Sequence, residues 1–333
     1  MSGSSSHGSL RIVFVALSIN LSIAVIKGIA AAASGSASMG AEAVHSLVDC
    51  GNQLFLLIGL KMSARPASDR YPLGRSNEVY VWSFLVAVLL FLMGGGQAIK
   101  DGIEHIQNPV AMETLNIMGH SFPSWVVNLS ILGISAVLEG RGLFLARQEM
   151  IAQQAKPQSM IQSLLRSTDP SLFVVMFEDS AAVVGLSIAF VFTVLSVVLH
   201  MPVLDGIASL LIGLMLVGVA LVMGHEVRSL LIGEGDKVLA TAVGEEIKSI
   251  KGVTAVNSVI AVQRGPNDVM VLASVDWDDN LTAGVIEGKV EILGRQIREC
   301  YPQVTFLNVE IRSGSKSEEK PAMLRSGIGI TSV

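Results

Sequence analysis

The stretch Glu42-Ala-Val-His-Ser-Leu-Val-Asp-Cys-Gly-Asn-Gln53 places a histidine and a carboxylate, His45 and Asp49, inside an otherwise apolar run. Because the two are four residues apart, a helix puts both on one face, one turn apart. An ionisable side chain at the depth of a bilayer costs at least about 2.5–3.5 kcal/mol. Two of them in one apolar helix indicate a function, and a buried, protonatable metal site explains them most simply.

Composition indicates an integral membrane protein. Hydrophobic residues make up 51% of the 333 positions and charged residues 15%, whereas soluble domains have about 25% charged residues. The net charge of −5 is modest, and the basic residues form no stripe, which leaves no basis for nucleic-acid binding. Cys50 and Cys300 lie in different contexts and make neither a disulfide framework nor a CxxC metal motif.

Apolar runs of the length that a transmembrane helix needs, about 20 residues, recur along the first two thirds of the chain. They predict six spans, at 11–34, 37–61, 79–100, 121–146, 170–199 and 203–230. Residues 1–10 are interpreted as a polar tail. The first span is interpreted as a retained anchor and not a signal peptide, since no small-residue cleavage pattern follows it. The transmembrane domain is therefore predicted to cover 11–232.

Basic residues in the connections predict the orientation. They concentrate after the second span and after the fourth: Lys61, Arg65, Arg70, Arg75, Arg141, Arg147, Lys156 and Arg166. By the positive-inside rule, these two connections and both termini are cytoplasmic. The short region before the first span has no Arg-rich presequence, which favours a bacterial inner membrane over an organelle membrane.

Residues 236–313 have a polar, alternating pattern that predicts a small cytosolic domain. Helices are expected at 241–251 and 281–300, and strands at 253–263, 268–276 and 304–311. The order αββαβ is typical of a two-layer, ferredoxin-like α+β domain. The Ser-, Gly-, Lys- and Glu-rich residues 314–333 are predicted to be a disordered tail.

A second group of acidic residues, Glu178 and Asp179, lies in the apolar fifth span. At about 1.5 Å per residue, Asp179 is roughly 13 Å from the cytoplasmic end of its helix, while His45 and Asp49 are roughly 13–20 Å from the outer end of theirs. All of these residues reach the middle of the bilayer. His45, Asp49 and one or both of Glu178 and Asp179 are thus candidate imidazole and carboxylate ligands for a divalent cation.

These residues carry a resemblance to a known family. Asn20, Lys27, the run Ser34-Gly-Ser-Ala-Ser-Met-Gly-Ala-Glu-Ala-Val-His-Ser-Leu-Val-Asp49 and Asp205-Gly-Ile-Ala-Ser-Leu-Leu-Ile-Gly213 resemble the cation diffusion facilitator family of divalent-metal transporters. The resemblance covers both the six-helix unit and the αββαβ domain. The Glu-Asp form of the fifth helix, with Leu138-Glu-Gly140 in the fourth, is most similar to the zinc-transporter-nine-like branch.

What the resemblance implies is a homodimer with a tetrahedral site made by an H/DxxxD pair on helix two and another on helix five. Such a site loads metal from the cytoplasm and exchanges it for protons. Zn²⁺ is the implied substrate, with Mn²⁺, Fe²⁺, Co²⁺ and Cd²⁺ also open. A histidine with an unperturbed pKa of about 6.5 suits proton exchange, because it titrates near neutral pH.

The chain departs from the family pattern in two places. The position four residues before Asp179 is Val175, which cannot ligate, so Glu178 is expected to substitute, although neighbouring helix residues point about 100° apart. The predicted cytosolic domain also contains no histidine, since all six precede Asp236. Regulatory zinc sites that use histidine are therefore not expected there.

Several polar residues near the predicted site have alternative roles. As alternatives to ligation, Glu178 pairs with Lys27 or caps a water-filled vestibule. Lys27 is interpreted as a snorkelling or charge-pairing residue. Glu42 is a candidate for a group that contacts the ligands without binding the metal, or for one that lies on the outward path of the cation. Glu139 is a further carboxylate to test. Cys50 is either a soft ligand or, as we favour, a packing residue.

Three other motifs are interpreted as structural. The acidic cluster Asp276-Trp-Asp-Asp-Asn280 resembles a metal-binding group, but a strand end followed by an Asp or Asn helix cap explains it better. Asp205 is interpreted as a helix N-terminal residue. The triple glycine Gly94–Gly96 permits close helix packing or a bend.

The function predicted from the sequence is export of a divalent cation, most simply zinc, by proton antiport with alternating access around a site at the bilayer midplane. An enzyme is not expected, because HExxH and GxSxG motifs are absent. The alternative is a transport-inactive dimeric membrane scaffold or a metal sensor, since the helix-five motif is incomplete.

Overall fold

The computed structural model describes residues 4–109, 114–117, 120–152 and 170–313. The chain forms two compact units, Met1–Ser229 and Leu230–Val333, called here the first and the second unit. The predicted disordered tail, 314–333, lies outside the described residues, and so do residues 153–169 of the connection between the fourth and fifth helices.

Six long helices build the part of the first unit that the structure describes. They are α1 (Ser4–Ser34), α2 (Ala37–Ser63), α3 (Glu78–Gln107), α4 (Ser124–Ala152), α5 (Pro170–Leu199) and α6 (Val203–Ile232). Helices α2 to α6 are long and apolar enough to cross a bilayer, with mean hydropathy of 1.3 to 2.6. The part of α1 with described side chains, Asn20–Ser34, is a shorter apolar helix. Large apolar side chains such as Ile134, Val137 and Val198 are exposed on this unit, as expected of surfaces that contact lipid.

The first unit differs from the sequence predictions in two places. Helix α1 begins at Ser4, inside the range 1–10 that was predicted to be a tail. A short antiparallel hairpin, β1 (Thr114–Ile117) and β2 (His120–Pro123), precedes α4. The hairpin was not predicted, since its strands have only four residues each, too few for a period-2 pattern to be distinguished from a loop.

Close packing of α3 against α6 explains the glycines of α3. Leu90–Gly96 forms a π-helical stretch, which includes the triple glycine. A Cβ added at Gly95 would lie 2.6 Å from Val217 Cγ2, and one added at Gly102 would lie 2.5 Å from the backbone nitrogen of Leu210. The predicted close approach is confirmed, while the alternative, a bend, stays a prediction; the π-helical form of this stretch was not predicted.

Two residues that are far apart in the sequence, Ser36 and Asp205, cap the start of helix α2. Ser36 Oγ accepts a hydrogen bond from Met39 N, 3.2 Å away, as an N-cap residue does. The carboxylate of Asp205, in the first turn of α6, accepts hydrogen bonds from Ser36 Oγ and from Ala37 N. The structural interpretation of Asp205 is confirmed, and its partner is the start of α2, which fixes the two helix ends together.

The second unit has the predicted αββαβ order. Its elements are α7 (Lys237–Lys248), β3 (Val253–Gly265), β4 (Asp268–Trp277), α8 (Ala283–Cys300) and β5 (Val304–Ile311). Strand β4 is central in the order β3-β4-β5, antiparallel to β3 and parallel to β5. Helix α8 makes the crossover that two parallel strands require. Both helices pack apolar residues on the sheet, in a core that includes Val243, Ile247, Val271 and Leu293.

The acidic cluster after β4 forms a turn rather than the predicted helix cap. Thr282 is the N-cap residue of α8, so the expectation of an Asp or Asn cap was wrong. Asp278 instead accepts hydrogen bonds from the backbone nitrogen and the side-chain amide of Asn280. These bonds hold the pKa of Asp278 below its usual value. A short polar side chain that binds the backbone two residues on is a turn-forming arrangement, which the sequence alone did not distinguish from a cap.

Candidate metal site

The polar residues of α2 form a continuous buried face within the first unit. Glu42, His45, Asp49 and Asn52 follow one another at spacings of three or four residues, which a helix aligns on one side. Their exposed fractions are 0%, 2%, 7% and 0%. The helix has 27 residues and is therefore about 40 Å long at 1.5 Å per residue, which is enough to cross a bilayer.

Glu42, at the start of this face, is paired with a lysine of α1. Lys27 Nζ lies 3.2 Å from Glu42 Oε2 and donates a hydrogen bond to Ser46 Oγ at 2.9 Å. Lys27 is also fully buried. The charge-pairing interpretation of Lys27 is thus confirmed, while the alternative in which Lys27 pairs with Glu178 was wrong. Glu42 also lies against α5, since a Cβ added at Gly185 would be 2.7 Å from its Oε1.

His45 and Asp49 lie next to each other, as their spacing predicts. His45 Nε2 and Asp49 Oδ2 are 3.7 Å apart, too far for a hydrogen bond. Both ring nitrogens of His45 and Asp49 Oδ1 are buried without a hydrogen-bond partner among the described residues. Unsatisfied buried donors and acceptors are costly. The pair therefore offers free nitrogen and oxygen atoms of the kinds that bind a divalent cation.

Helix α5 turns its two carboxylates to different neighbours. Glu178 is buried and accepts a hydrogen bond from the side-chain amide of Asn52 on α2. Asp179 is half-buried and lies against α4, since a Cβ added at Gly142 would be 3.4 Å from its Oδ2. The divergence follows from the 100° between successive helix residues. Both carboxylates nevertheless interact electrostatically with Asp49.

Two further residues belong to this region. Glu139 of α4 is partly buried and interacts electrostatically with His45, Asp49 and Asp179. The sequence indicated it only as a carboxylate to test if the other assignments failed. Asn52 was missed, although its position three residues after Asp49 was a signal, because a buried amide on the same face as two candidate ligands needs partners of its own.

The four predicted ligands thus lie in one region between α2, α4 and α5 but do not form a single coordination sphere. Across the described ranges, no group of three or more His, Cys, Asp or Glu side chains is arranged to hold a metal ion. The described part of the second unit, including Asp276, Asp278 and Asp279, contains no such group either. Cys50 is buried with a free thiol and follows Asp49 about 100° round the helix, in keeping with packing.

The donor atoms of these side chains in the first unit are of the kinds that bind a divalent cation. The set combines one imidazole with carboxylates from two helices, and the apolar surroundings make their charge costly when uncompensated. A cation that enters between α2 and α5 would neutralise this charge and satisfy the free nitrogen and oxygen atoms. The ligands would have to move together to bind it.

Comparisons with known proteins find similarity over most of the chain. The family model of the cation efflux transmembrane domain matches residues 13–232. The mitochondrial proton-coupled zinc antiporter SLC30A9 of Xenopus laevis is 33% identical over 298 residues, 88% of this chain and 51% of the relative. Its Homo sapiens counterpart is 32% identical over 273 residues, 81% of this chain and 46% of the relative.

A plant relative extends the similarity. Metal tolerance protein C4 of Arabidopsis thaliana is 29% identical over 272 residues, 79% of this chain and 55% of the relative. The chain spans about half the length of these three relatives.

Proposed function

The chain belongs to the cation efflux family, also called the cation diffusion facilitator family, and from that premise we propose that it exports a divalent cation in exchange for protons. Zinc is the substrate that we propose first, because similar proteins are named proton-coupled zinc antiporters. Mn²⁺, Fe²⁺, Co²⁺ and Cd²⁺ are further candidates. The chain is a multi-pass membrane protein, and we propose that it acts by transport and not by catalysis.

The observation that carries the proposal is the buried His45–Asp49 pair. Its side chains are almost completely buried, and three of its four polar atoms have no hydrogen-bond partner among the described residues. In an apolar helix such unpartnered polar atoms are costly, and a bound cation would satisfy them. We propose that His45, Asp49, Asp179 and Glu178 are the metal ligands, two from α2 and two from α5.

Alternating access is the mechanism that this geometry supports. Ligands on different helices come together when the helices approach and separate when they tilt apart, so one movement both binds the cation and changes the side from which it is accessible. Neutral imidazole and ionised carboxylates bind the metal. After its release, protons on the same groups neutralise the site for the return step.

The orientation and assembly that we propose follow the sequence and the family. The basic connections after α2 and α4 support cytoplasmic termini, and the second unit is then a cytosolic domain that supports a homodimer. A bacterial inner membrane is the proposed location. An organelle membrane is the alternative, since relatives are named mitochondrial.

The second candidate function is a transport-inactive scaffold or metal sensor. It is favoured by one observation, the absence of an assembled metal-binding group among the described residues. Reconstituted vesicles separate the two functions. We expect added Zn²⁺ to enter sealed vesicles and to drive protons the opposite way, detected with a zinc-sensitive and a pH-sensitive dye. Vesicles that show no flux above protein-free vesicles, at any imposed pH gradient, would contradict transport.

A further inference from the structure

Asn52 is a buried amide on the polar face of α2 that the proposed ligand set does not include. It lies one helical turn beyond Asp49, and its exposed fraction is 0%. Its Nδ2 donates a hydrogen bond to Glu178 Oε1 on α5. Its Oδ1 is buried without a hydrogen-bond partner in the described part of the chain. A side chain in this position links the two helices that carry the proposed ligands.

Glu178 needs such a partner because of its surroundings. Its carboxylate interacts electrostatically with those of Asp49, Asp179 and Glu139, which all carry the same charge when ionised. Repulsion turns Glu178 away from the others unless a donor holds it. A lysine or arginine would hold it but would also compete with a divalent cation, whereas a neutral amide donates a hydrogen bond without adding positive charge.

The position of Glu178 in the helix makes the same demand. It precedes Asp179 and therefore points about 100° away from it, while Asp179 itself lies against Gly142 on α4. The position one turn before Asp179 is Val175, which offers no ligand atom. A carboxylate that replaces the missing ligand must therefore be drawn towards α2, and the bond from Asn52 is directed from α2 to Glu178.

We propose that Asn52 is a positioning residue, which holds the Glu178 carboxylate towards the His45–Asp49 pair so that it serves as a metal ligand. This inference rests on the proposed function and deepens it, because it assigns the origin of the helix-five ligand that the sequence lacks. Hydrogen-bond partners behind metal ligands typically change metal affinity about 10- to 100-fold when they are removed.

The first unit contains a matched control. Asn128 on α4 is also fully buried, its Nδ2 donates an interhelical hydrogen bond to Ser34 Oγ at 3.1 Å, and its Oδ1 also lacks a partner among the described residues. It differs in that its partner is a serine on α1 and not a proposed ligand. Asn52→Leu and Asn128→Leu therefore remove the same groups from different surroundings.

The experiment compares zinc uptake by vesicles that contain the full chain and its variants. We expect Asn52→Leu to raise the KM for zinc about 10- to 100-fold with little change in the maximal rate, and Asn128→Leu to leave the KM within about twofold. In a Glu178→Gln background, Asn52→Leu should have no further effect, because a residue that acts through Glu178 loses its role with it. An unchanged KM in Asn52→Leu, or effects of the two substitutions that multiply, overturns the inference.

Zinc titration calorimetry of the same proteins in detergent separates this inference from the proposed function. Wild type that binds zinc without carrying it contradicts transport, yet 10- to 100-fold weaker binding by Asn52→Leu still supports the inference. Equal binding by wild type and Asn52→Leu overturns it. If Asn52→Leu does not fold, Asn52→Ser, whose hydroxyl is too short to reach Glu178, is measured in its place with the same expected results.

Discussion

Removal of Lys27 should destabilise the first unit strongly, and removal of its partner should restore most of the loss. Lys27 Nζ and Glu42 Oε2 are 3.2 Å apart, and both side chains are completely buried. Lys27→Met leaves a carboxylate without its counter-charge, and such losses cost about 3–5 kcal/mol. Lys27→Met/Glu42→Gln removes both charges, which is often close to neutral when the replacements pack well.

The assay heats the detergent-solubilised protein to a series of temperatures. Size-exclusion chromatography then measures the fraction that stays monodisperse at each temperature, which gives a midpoint. At about 2–4 °C per kcal/mol for a unit of this size, Lys27→Met should lower the midpoint by roughly 6–20 °C, and the double variant should melt near wild type. The exposed pair Glu291–Arg295 is the control, since Arg295→Met should have no measurable effect. A Lys27→Met midpoint equal to that of wild type, or a double variant that melts as low as the single one, would refute the reasoning.

Three other predictions test packing, assembly and selectivity. Gly102→Ala should destabilise the first unit by about 1–3 kcal/mol, because the new Cβ meets the backbone of α6, whereas Gly133→Ala, with open space around it, should be neutral or slightly stabilising in the same melting assay. The isolated segment 236–313 should dimerise without metal, because it has no histidine that could bind zinc. Sedimentation of chelator-treated protein measures this, and dimerisation only with zinc would contradict it. Val175→His should raise the preference for Zn²⁺ over Mn²⁺ in competitive vesicle uptake, since an imidazole replaces an apolar group one turn before Asp179; unchanged selectivity would mean that this position does not face the cation.

The fold was predictable because its main signals are long. Runs of 20 or more apolar residues define spans whatever their neighbours are, and the alternating strands of the second unit follow a period of two. The hairpin before α4 and the turn at Asp278 were not predictable, because each depends on a few polar residues with several possible conformations. The domain limits 11–232 and 236–313 stay predictions.

The candidate site was predictable on each helix but not between helices. Spacing within α2 indicates that His45 and Asp49 share a face. Spacing cannot indicate that Lys27 pairs with Glu42 or that Asn52 donates a hydrogen bond to Glu178, because these contacts depend on how far one helix is shifted and rotated against another. The same limit explains Asp205, whose partner at the start of α2 is 168 residues away in sequence.

The measurement that tests the central claim most directly is zinc uptake by vesicles that contain Asp49→Ala or Asp179→Ala, with Cys50→Ala as the neighbouring control. Each aspartate variant removes a ligand charge from an apolar interior without creating a clash, so it should fold and form the same oligomer as wild type. We expect both aspartate variants to lose zinc uptake and Cys50→Ala to keep it. Near-normal uptake by either aspartate variant would contradict the assignment of the transported cation to this site.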